Sequence, residues 1–398
     1  MPSPSLHRAP AGARLRTRLR AATVLTLCLA AVSSTSAGAA TASTGDDAAL
    51  RQEINAFVNT PGGPPGIIAV LRRGSESRVL RAGVADIETG RPPRVRDHMR
   101  IASAAKAFSG AVALSLVDRH ALHLDDTLRK RLPQLPKAWG RVTLRQLLNH
   151  TSGLPDFSES PEYLDTLRRD PHHRFDPRRL LDFVADEPLL FRPGSRYHYS
   201  NSDNIAVALM AEAVTGTPYE RLLHELVYRP LHLRDTSLPL GYRMPRPYLH
   251  GYAVDPPMPP EDVSELFSGS SSWAAGGIIS TPADMTRFIR GYAGGALYGE
   301  RTLREQRRWI PGASQPAGPG RNSAGLGIFR YATRCGVVLG HTGNTAGYTQ
   351  LAVATPDGRR SLTFSITRQL SDNVDPERMQ QLRDIQEDFI CALLRDGS

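Results

Sequence analysis

The sequence predicts an α/β (α+β) fold: one antiparallel sheet built from both ends of the chain, with flanking helices and a mostly α-helical segment inserted between them. Three observations predict it. Strand-like runs cluster at 66–85 and return only at 325–367. Between them, apolar residues recur at helical spacing, punctuated by proline-rich loops. No internal repeat breaks the pattern, so strands at both ends with helices in the middle imply one sheet and one insertion. The expected division is a sheet domain from 46–100 and 322–396 and a mainly helical domain from 101–321.

The first element lies outside this fold. Arg8, Arg14, Arg16, Arg18 and Arg20 precede an apolar run over 21–32, and Ala37, Gly38 and Ala39 offer small residues for cleavage. Residues 1–39 read as a secretory signal peptide, whose apolar stretch is too short to span a bilayer. The protein is therefore expected to be secreted or extracytoplasmic, with association to the cell wall as an option. It is expected to have no membrane span and to act as a monomer. Removing the leader takes away five arginines and no acids, which lowers the formal net charge from +10 to +5. That weak excess, with no basic run interleaved with aromatics, is not the footprint of a nucleic-acid partner.

Residues 46–59 carry caps and apolar spacing suited to a helix. Runs at 66–72 and 77–85, separated by Arg73, Gly74 and Ser75, read as a hairpin. Ile101, Ala105, Phe108, Val112 and Leu116 form one stripe of a helix beginning at Ile101. Further helical patterns follow at 143–149, 178–184, 202–214, 219–226 and 282–292, and then a Pro/Gly-rich linker at 315–321. Strands are expected at 325–331, 336–340, 347–354 and 361–367, with Pro356, Asp357 and Gly358 turning the chain between the last two. An amphipathic helix at 376–394 closes the sequence. After processing two cysteines remain, Cys335 and Cys391. An even number in an exported chain makes a disulfide the default, and it would tie the last helix to a nearby strand; two buried free thiols are the alternative. No Cys or His spacing of metal-binding type occurs, and no metal or cofactor is expected. His120, His123, His172 and His173 read as surface residues.

The chemistry begins with a scarcity. Only three of the 49 basic residues are lysine, and one of them, Lys106, follows Ser103 by three positions. Arginine keeps its proton in a protein, whereas a desolvated lysine can lose one. Ser and Lys at i and i+3 share a helix face, and the lysine can then serve as the base that activates the serine. Lys130 and Lys137 sit in a polar, proline-flanked stretch and read as surface charges. A second element, Phe191 to Asn201, uses Pro193 and Gly194 to turn the chain and delivers Tyr199 and Asn201 to one side of an extended segment. The phenol can shuttle a proton, and the amide can hold both a substrate carbonyl and the lysine. Read alone, this is a core tyrosine beside a capping asparagine. A third element, Gly340 to Gly347, places His341, Thr342, Gly343 and Asn344 between two strand-like runs. There Gly343 would let substrate approach closely, His341 would offer partial positive charge and Thr342 a hydroxyl. Alone it is a glycine-rich turn.

In this order, Ser-x-x-Lys, Tyr-Ser-Asn and His-Thr-Gly resemble the motifs of the penicillin-recognising serine hydrolases: class C β-lactamases, D-alanyl-D-alanine carboxypeptidases and related esterases. Leu147 to Leu154 is similar to the loop before that family's helical lobe, and Ala275 to Phe288 to its late helical segment, so the resemblance spans about residues 48–395. It implies a β-lactamase/transpeptidase-like fold and an acyl-enzyme on Ser103, with Lys106 as base. It also implies Tyr199, with His341 as partner, protonating the leaving amine, Asn201 positioning the acyl group, and the N–H groups of Ser103 and Asn344 holding the oxyanion. Trp273, Phe157 and Tyr163 are candidate cleft walls. His-Thr-Gly and the Cys335/Cys391 pair resemble the secreted carboxypeptidase branch. The expected partners are a small peptide ending in D-alanyl-D-alanine or a peptidoglycan stem peptide, with β-lactams as acylating ligands. One departure stands out: Phe329 occupies the position where those carboxypeptidases carry an arginine for the peptide's terminal carboxylate, and strand alternation puts Arg330 on the opposite face. Two rival functions remain: an esterase or D-amino-acid amidase or peptidase on the same scaffold, and a non-turnover penicillin-binding or sensor protein.

Overall fold

A computed structural model describes residues 37–395. The expected leader, 1–39, lies outside the described residues except for its last three. The chain opens with helix α1 (Ala37–Asn59) and the hairpin β1 (Gly66–Arg73) and β2 (Glu76–Gly83). Helices α2 (Ala105–Asp118), α3 (Asn201–Thr215) and α4 (Pro282–Ala293) dominate the middle. Strands β3 (Ile310–Pro311), β4 (Arg321–Ala324), β5 (Phe329–Thr333), β6 (Gly336–Thr345), β7 (Tyr348–Ala354) and β8 (Arg360–Ile366) follow, and then α5 (Pro376–Leu394).

The eight strands form one antiparallel sheet in the order β2-β1-β8-β7-β6-β5-β4-β3. The two ends of the chain meet one strand in from the β2 edge, where Ile67 pairs with Ile366, Ala69 with Phe364 and Leu71 with Leu362. These residues face one core with Leu50, Ile54 and Phe57 of α1 and Leu382 and Phe389 of α5. Alternate residues, Ile68 and Val70, join a second core on the opposite face, which holds Phe108, Val112 and Phe288. There Phe108 of α2 stacks on Phe288 of α4 with ring centres 3.6 Å apart. Burial on both faces explains why β1 reads as a continuous apolar run. Helix ends follow local chemistry. Thr281 accepts from the Asp284 N–H ahead of Pro282, Asp375 accepts from the Arg378 N–H ahead of Pro376, and Gly216 ends α3 in the left-handed region.

Three expectations change. The strand expected at 325–331 begins only at Phe329: 325–328 is the turn that joins it to β4, with the Gly325 N–H donating to the Ile328 carbonyl at 2.8 Å. Gly327 is needed in that turn: its φ is +66°, and a Cβ there would come within 2.8 Å of the Gly110 Cα on α2. The strand at 336–340 runs on to Thr345, so His-Thr-Gly lies on a strand rather than in a turn, and the reversal falls at Gly347, φ +76°. The stretch at 101–321 also contributes to the sheet, through the short edge strand β3. Cys335, in the β5–β6 turn, meets Cys391 of α5 with Cα atoms 5.1 Å apart.

Candidate active site

Ser103 sits on a single 3-10 turn, Ala102–Ala104, immediately before α2, rather than inside a helix starting at Ile101. Ala102 is held at φ +48°, an unusual conformation for a residue with a Cβ. The neighbouring strand packs hard against this turn: a Cβ on Gly343 would lie 2.2 Å from the Ile101 carbonyl oxygen. Gly343 thus accommodates the serine turn itself, which corrects the expectation that it makes room for substrate.

Lys106, in the first turn of α2, is fully buried. Its Nζ lies 2.7 Å from Asn201 Oδ1, 2.8 Å from the Ala275 carbonyl and 3.0 Å from Ser103 Oγ. Two of these partners can only accept. A neutral amine gives its two protons to them and turns its lone pair to the one partner that can donate, the serine hydroxyl. Burial drives the Lys106 pKa down to about 7, against the opposing charges of Asp156 and Asp203. Tyr199, whose ring lies 5.0 Å from Nζ, is pushed far above the usual phenol range by burial, with Ser103 nearby offsetting part of the shift. Near neutral pH the amine can therefore be free, whereas the phenol keeps its proton and can only donate or relay one.

Asn201 opens α3, and its amide is oriented from behind. Nδ2 donates to Asp156 Oδ2 at 3.0 Å and to Ser158 Oγ at 2.9 Å, leaving Oδ1 for Lys106. Beneath Tyr199 lies a buried pair: His150 Nδ1 is 2.8 Å from Asp203 Oδ2, Ser152 Oγ donates to Asp203 Oδ1, and the His150 ring centre is 4.5 Å from that of Tyr199. Burial raises the Asp203 carboxyl and lowers the His150 imidazole. Asp156, Ser158, His150 and Asp203 escaped the sequence reading. Their only signal was position, within or just beyond the run Leu147 to Leu154 and two residues after Asn201.

The cavity above Ser103 has a volume of about 600 Å³, and Ser103, Tyr199, Asn201, Asn344, Phe157 and Tyr163 all line it. Five expected site residues do not: Lys106 lies buried behind Ser103, and Trp273, His341, Thr342 and Gly343 are turned elsewhere. Trp273 is a core residue, its indole N–H bonded to Glu220 at 2.8 Å and its ring packed on Tyr219. His341 is buried with Nδ1 2.6 Å from the Thr342 carbonyl, and burial lowers its pKa to about 3, so it brings no positive charge. Thr342 is also turned away, its hydroxyl donating to the Pro316 carbonyl at 2.7 Å. Gly343 faces Ile101. Phe329 is buried edge-to-face against His341, ring centres 5.0 Å apart, and Arg330 lines no part of the cavity. Among the described lining residues there is no arginine, lysine or histidine; the one carboxylate, Asp372, is held by both terminal nitrogens of Arg383.

A family model described as Beta-lactamase matches residues 50–387. Among curated relatives, a putative D-alanyl-D-alanine carboxypeptidase from Escherichia coli is 32% identical over 34% of this chain and 32% of its own length. Esterase EstB from Burkholderia gladioli is 36% identical over 43% of this chain and 46% of its own. The chain thus spans less than two thirds of each of these relatives. Among solved structures, a D-stereospecific amidohydrolase from Streptomyces sp. superposes with a TM-score of 0.72 at 29% identity, covering 85% of this chain and 98% of that one.

Proposed function

Because the chain belongs to the beta-lactamase family, we propose that this serine hydrolase works by acyl transfer through Ser103, with Lys106 as its base. The observation that carries the reading is the set of three contacts at Lys106 Nζ, which leaves the lone pair only to the Ser103 hydroxyl. Ser103 Oγ attacks an amide or ester carbonyl while its proton passes to Lys106. The N–H groups of Ser103 and Asn344 hold the developing oxyanion, a donor pair of the kind in which one member contributes roughly 3–4 kcal/mol. The proton then reaches the leaving group by way of Tyr199, the C–N or C–O bond breaks, and Ser103 is left acylated. A water attacks this ester by the reverse route, releasing the acid and restoring the hydroxyl. His341 has no part in the relay.

The acyl donor proposed from the motifs is a short peptide ending in D-alanyl-D-alanine, with β-lactams acylating the same serine. One observation favours a second substrate class. Among the described residues, the cavity wall offers no cation to a departing residue's carboxylate, which suits D-amino-acid amides or esters with uncharged leaving groups. The 29% identical Streptomyces amidohydrolase supports that class, and the carboxypeptidase-named relative supports the first. We also place the protein outside the cytoplasm with Cys335 and Cys391 bonded.

Three substrates assayed side by side test these readings: a D-alanyl-D-alanine peptide, a D-amino-acid amide and a p-nitrophenyl ester, with fluorescent penicillin as the label for Ser103. Release of D-alanine as the fastest reaction supports the carboxypeptidase; faster amide or ester cleavage supports the second class. Stoichiometric labelling with no turnover of any substrate would instead make the chain a penicillin-binding protein. Activity that survives in Ser103→Ala sinks the mechanism altogether.

A further inference from the structure

Asp156 belongs to none of the three motifs, yet both its oxygens are committed at the site. It is buried at the start of the 3-10 turn Phe157–Glu159. Oδ1 accepts the Ser158 backbone N–H at 3.0 Å and the Ser158 hydroxyl at 2.8 Å. Oδ2 accepts the Asn201 backbone N–H at 2.8 Å and its side-chain Nδ2 at 3.0 Å. Two donors of one residue thus converge on a single carboxylate oxygen, and Ser158 Oγ takes Nδ2 as well, at 2.9 Å.

An amide rotated by 180° would turn Nδ2 toward the Lys106 amine and Oδ1 toward a carboxylate. Donor would meet donor and acceptor would meet acceptor. The carboxylate therefore does more than cap a turn. We propose that Asp156 is a positioning residue for acyl transfer, fixing the Asn201 amide with its oxygen on Lys106 so that the amine's lone pair stays aimed at Ser103. This rests on the acyl-enzyme reading above, since Asp156 touches neither the serine nor the cavity.

Its charge has a second effect. Lys106 is faced by Ser103, Tyr199, Asn201 and the Ala275 carbonyl, with His150, His341, Asp203 and Asp156 close enough to act electrostatically. Of these, Asp156 and Asp203 favour the protonated amine. Neutralising Asp156 should therefore lower the pH at which Lys106 loses its proton.

The scarcity of lysine makes this directly measurable. With ¹³C-lysine the full chain carries three labels, and one should titrate near pH 7. Asp156→Asn keeps an acceptor for Asn201 but sets an amide donor against the Ser158 N–H, so its acylation by fluorescent penicillin, or its p-nitrophenyl ester turnover, should fall less than that of Asp156→Ala. Its Lys106 signal should titrate at lower pH, as should the acid limb of its rate profile. Asp156→Ala loses the acceptor too and should fall ~10–100-fold in rate, the scale expected when a reacting group is misplaced. Ser158→Ala, which removes the second acceptor and leaves the carboxylate, should lose less and keep the wild-type titration.

Circular dichroism separates misfolding of Asp156→Ala from a true loss, and Asp156→Asn decides the matter if the alanine variant does not fold. An unmoved lysine titration in Asp156→Asn, or a folded Asp156→Ala with the wild-type rate, overturns the role of Asp156 while leaving the acyl-enzyme intact. A wild-type chain with neither labelling nor turnover, or with activity insensitive to Ser103→Ala, overturns both.

Discussion

The base at this site is defined by what it gives up. A buried ammonium surrounded by only two pure acceptors is poorly compensated, and desolvation brings Lys106 to about 7. Acylation should therefore rise with pH through about 7, because only the neutral amine can take the Ser103 proton; measuring rate against pH with a neutral ester checks this. An acid limb well below pH 6 would assign the base elsewhere. Lys106→Arg keeps the charge and loses the removable proton. It should cost roughly 10²–10⁴-fold in acylation rate, the usual worth of a positioned base. Ser103 and Lys106 were legible because lysine is rare here and their spacing is local. Asp156, His150 and Asp203 were not, because their significance comes from the pairing of the 150–158 loop with α3, which no local pattern encodes. His341 and Thr342 were misjudged for the same kind of reason. A motif names residues, but whether each side chain reaches the cavity depends on which way the strand presents it.

The short elements follow the same logic with electrostatics in place of catalysis. Asp126 is buried just ahead of the helix Leu128–Arg131, where it takes Lys130 at 2.6 Å and Arg131 at 2.6 Å and accepts the His123 N–H at 3.0 Å. Burial raises this carboxyl, but hydrogen bonds from Lys130 and Arg131 overcome that and hold it at about 2, below its ordinary 3.8. A depressed carboxyl contributes stability that is full above the unfolded value and is lost as pH falls toward the folded one. Asp126→Asn should thus cost on the order of 1 kcal/mol at neutral pH, since solvent at the exposed Lys130 screens part of the interaction, and the difference from wild type should narrow as pH falls from 4 toward 2. Parallel thermal melts across that range would show it, and a gap independent of pH would mean the cost is one of packing. Lys130, expected to be a plain surface charge, is half of this clamp. Its i,i+4 spacing to Asp126 was visible, but the burial of its partner was not. The loss of 325–328 from the expected strand to a turn has a similar cause. Gly325 and Gly327 were in plain view, yet only the close approach of α2 makes Gly327 a turn residue rather than a gap in a strand.

At the scale of the molecule, the sheet is sealed by pairing its first strand with its last, Gly66–Arg73 against Arg360–Ile366, and both ends are covered on the same face by α1 and α5. That layout was legible because strands buried on two faces announce themselves as apolar runs, while a two-residue edge such as β3 is too short to carry any period. The layout also locates the consequence of the Cys335–Cys391 contact, which, bonded as proposed, would staple the β5–β6 turn to α5 across 56 residues of sequence. Closing a loop of that length in the unfolded chain is worth about 4 kcal/mol by chain-entropy reasoning. Arg334 next to it also reaches Glu387 at 3.2 Å and pairs with Asp388, so the turn has a second hold on α5 when the bond is open. Neither cysteine lines the cavity. Cys335→Ser with Cys391→Ser should therefore melt several degrees lower while keeping its rate of acylation at room temperature, and dithiothreitol should reproduce the shift in the wild-type chain but not in the double variant. If reductant leaves the wild-type melt unmoved and mass spectrometry finds two free thiols in protein recovered from an oxidising compartment, the bond does not form. Holding α5 on the sheet then falls to its apolar face, with Leu382 and Phe389 among others, and to the Arg334, Arg73 and Arg360 contacts.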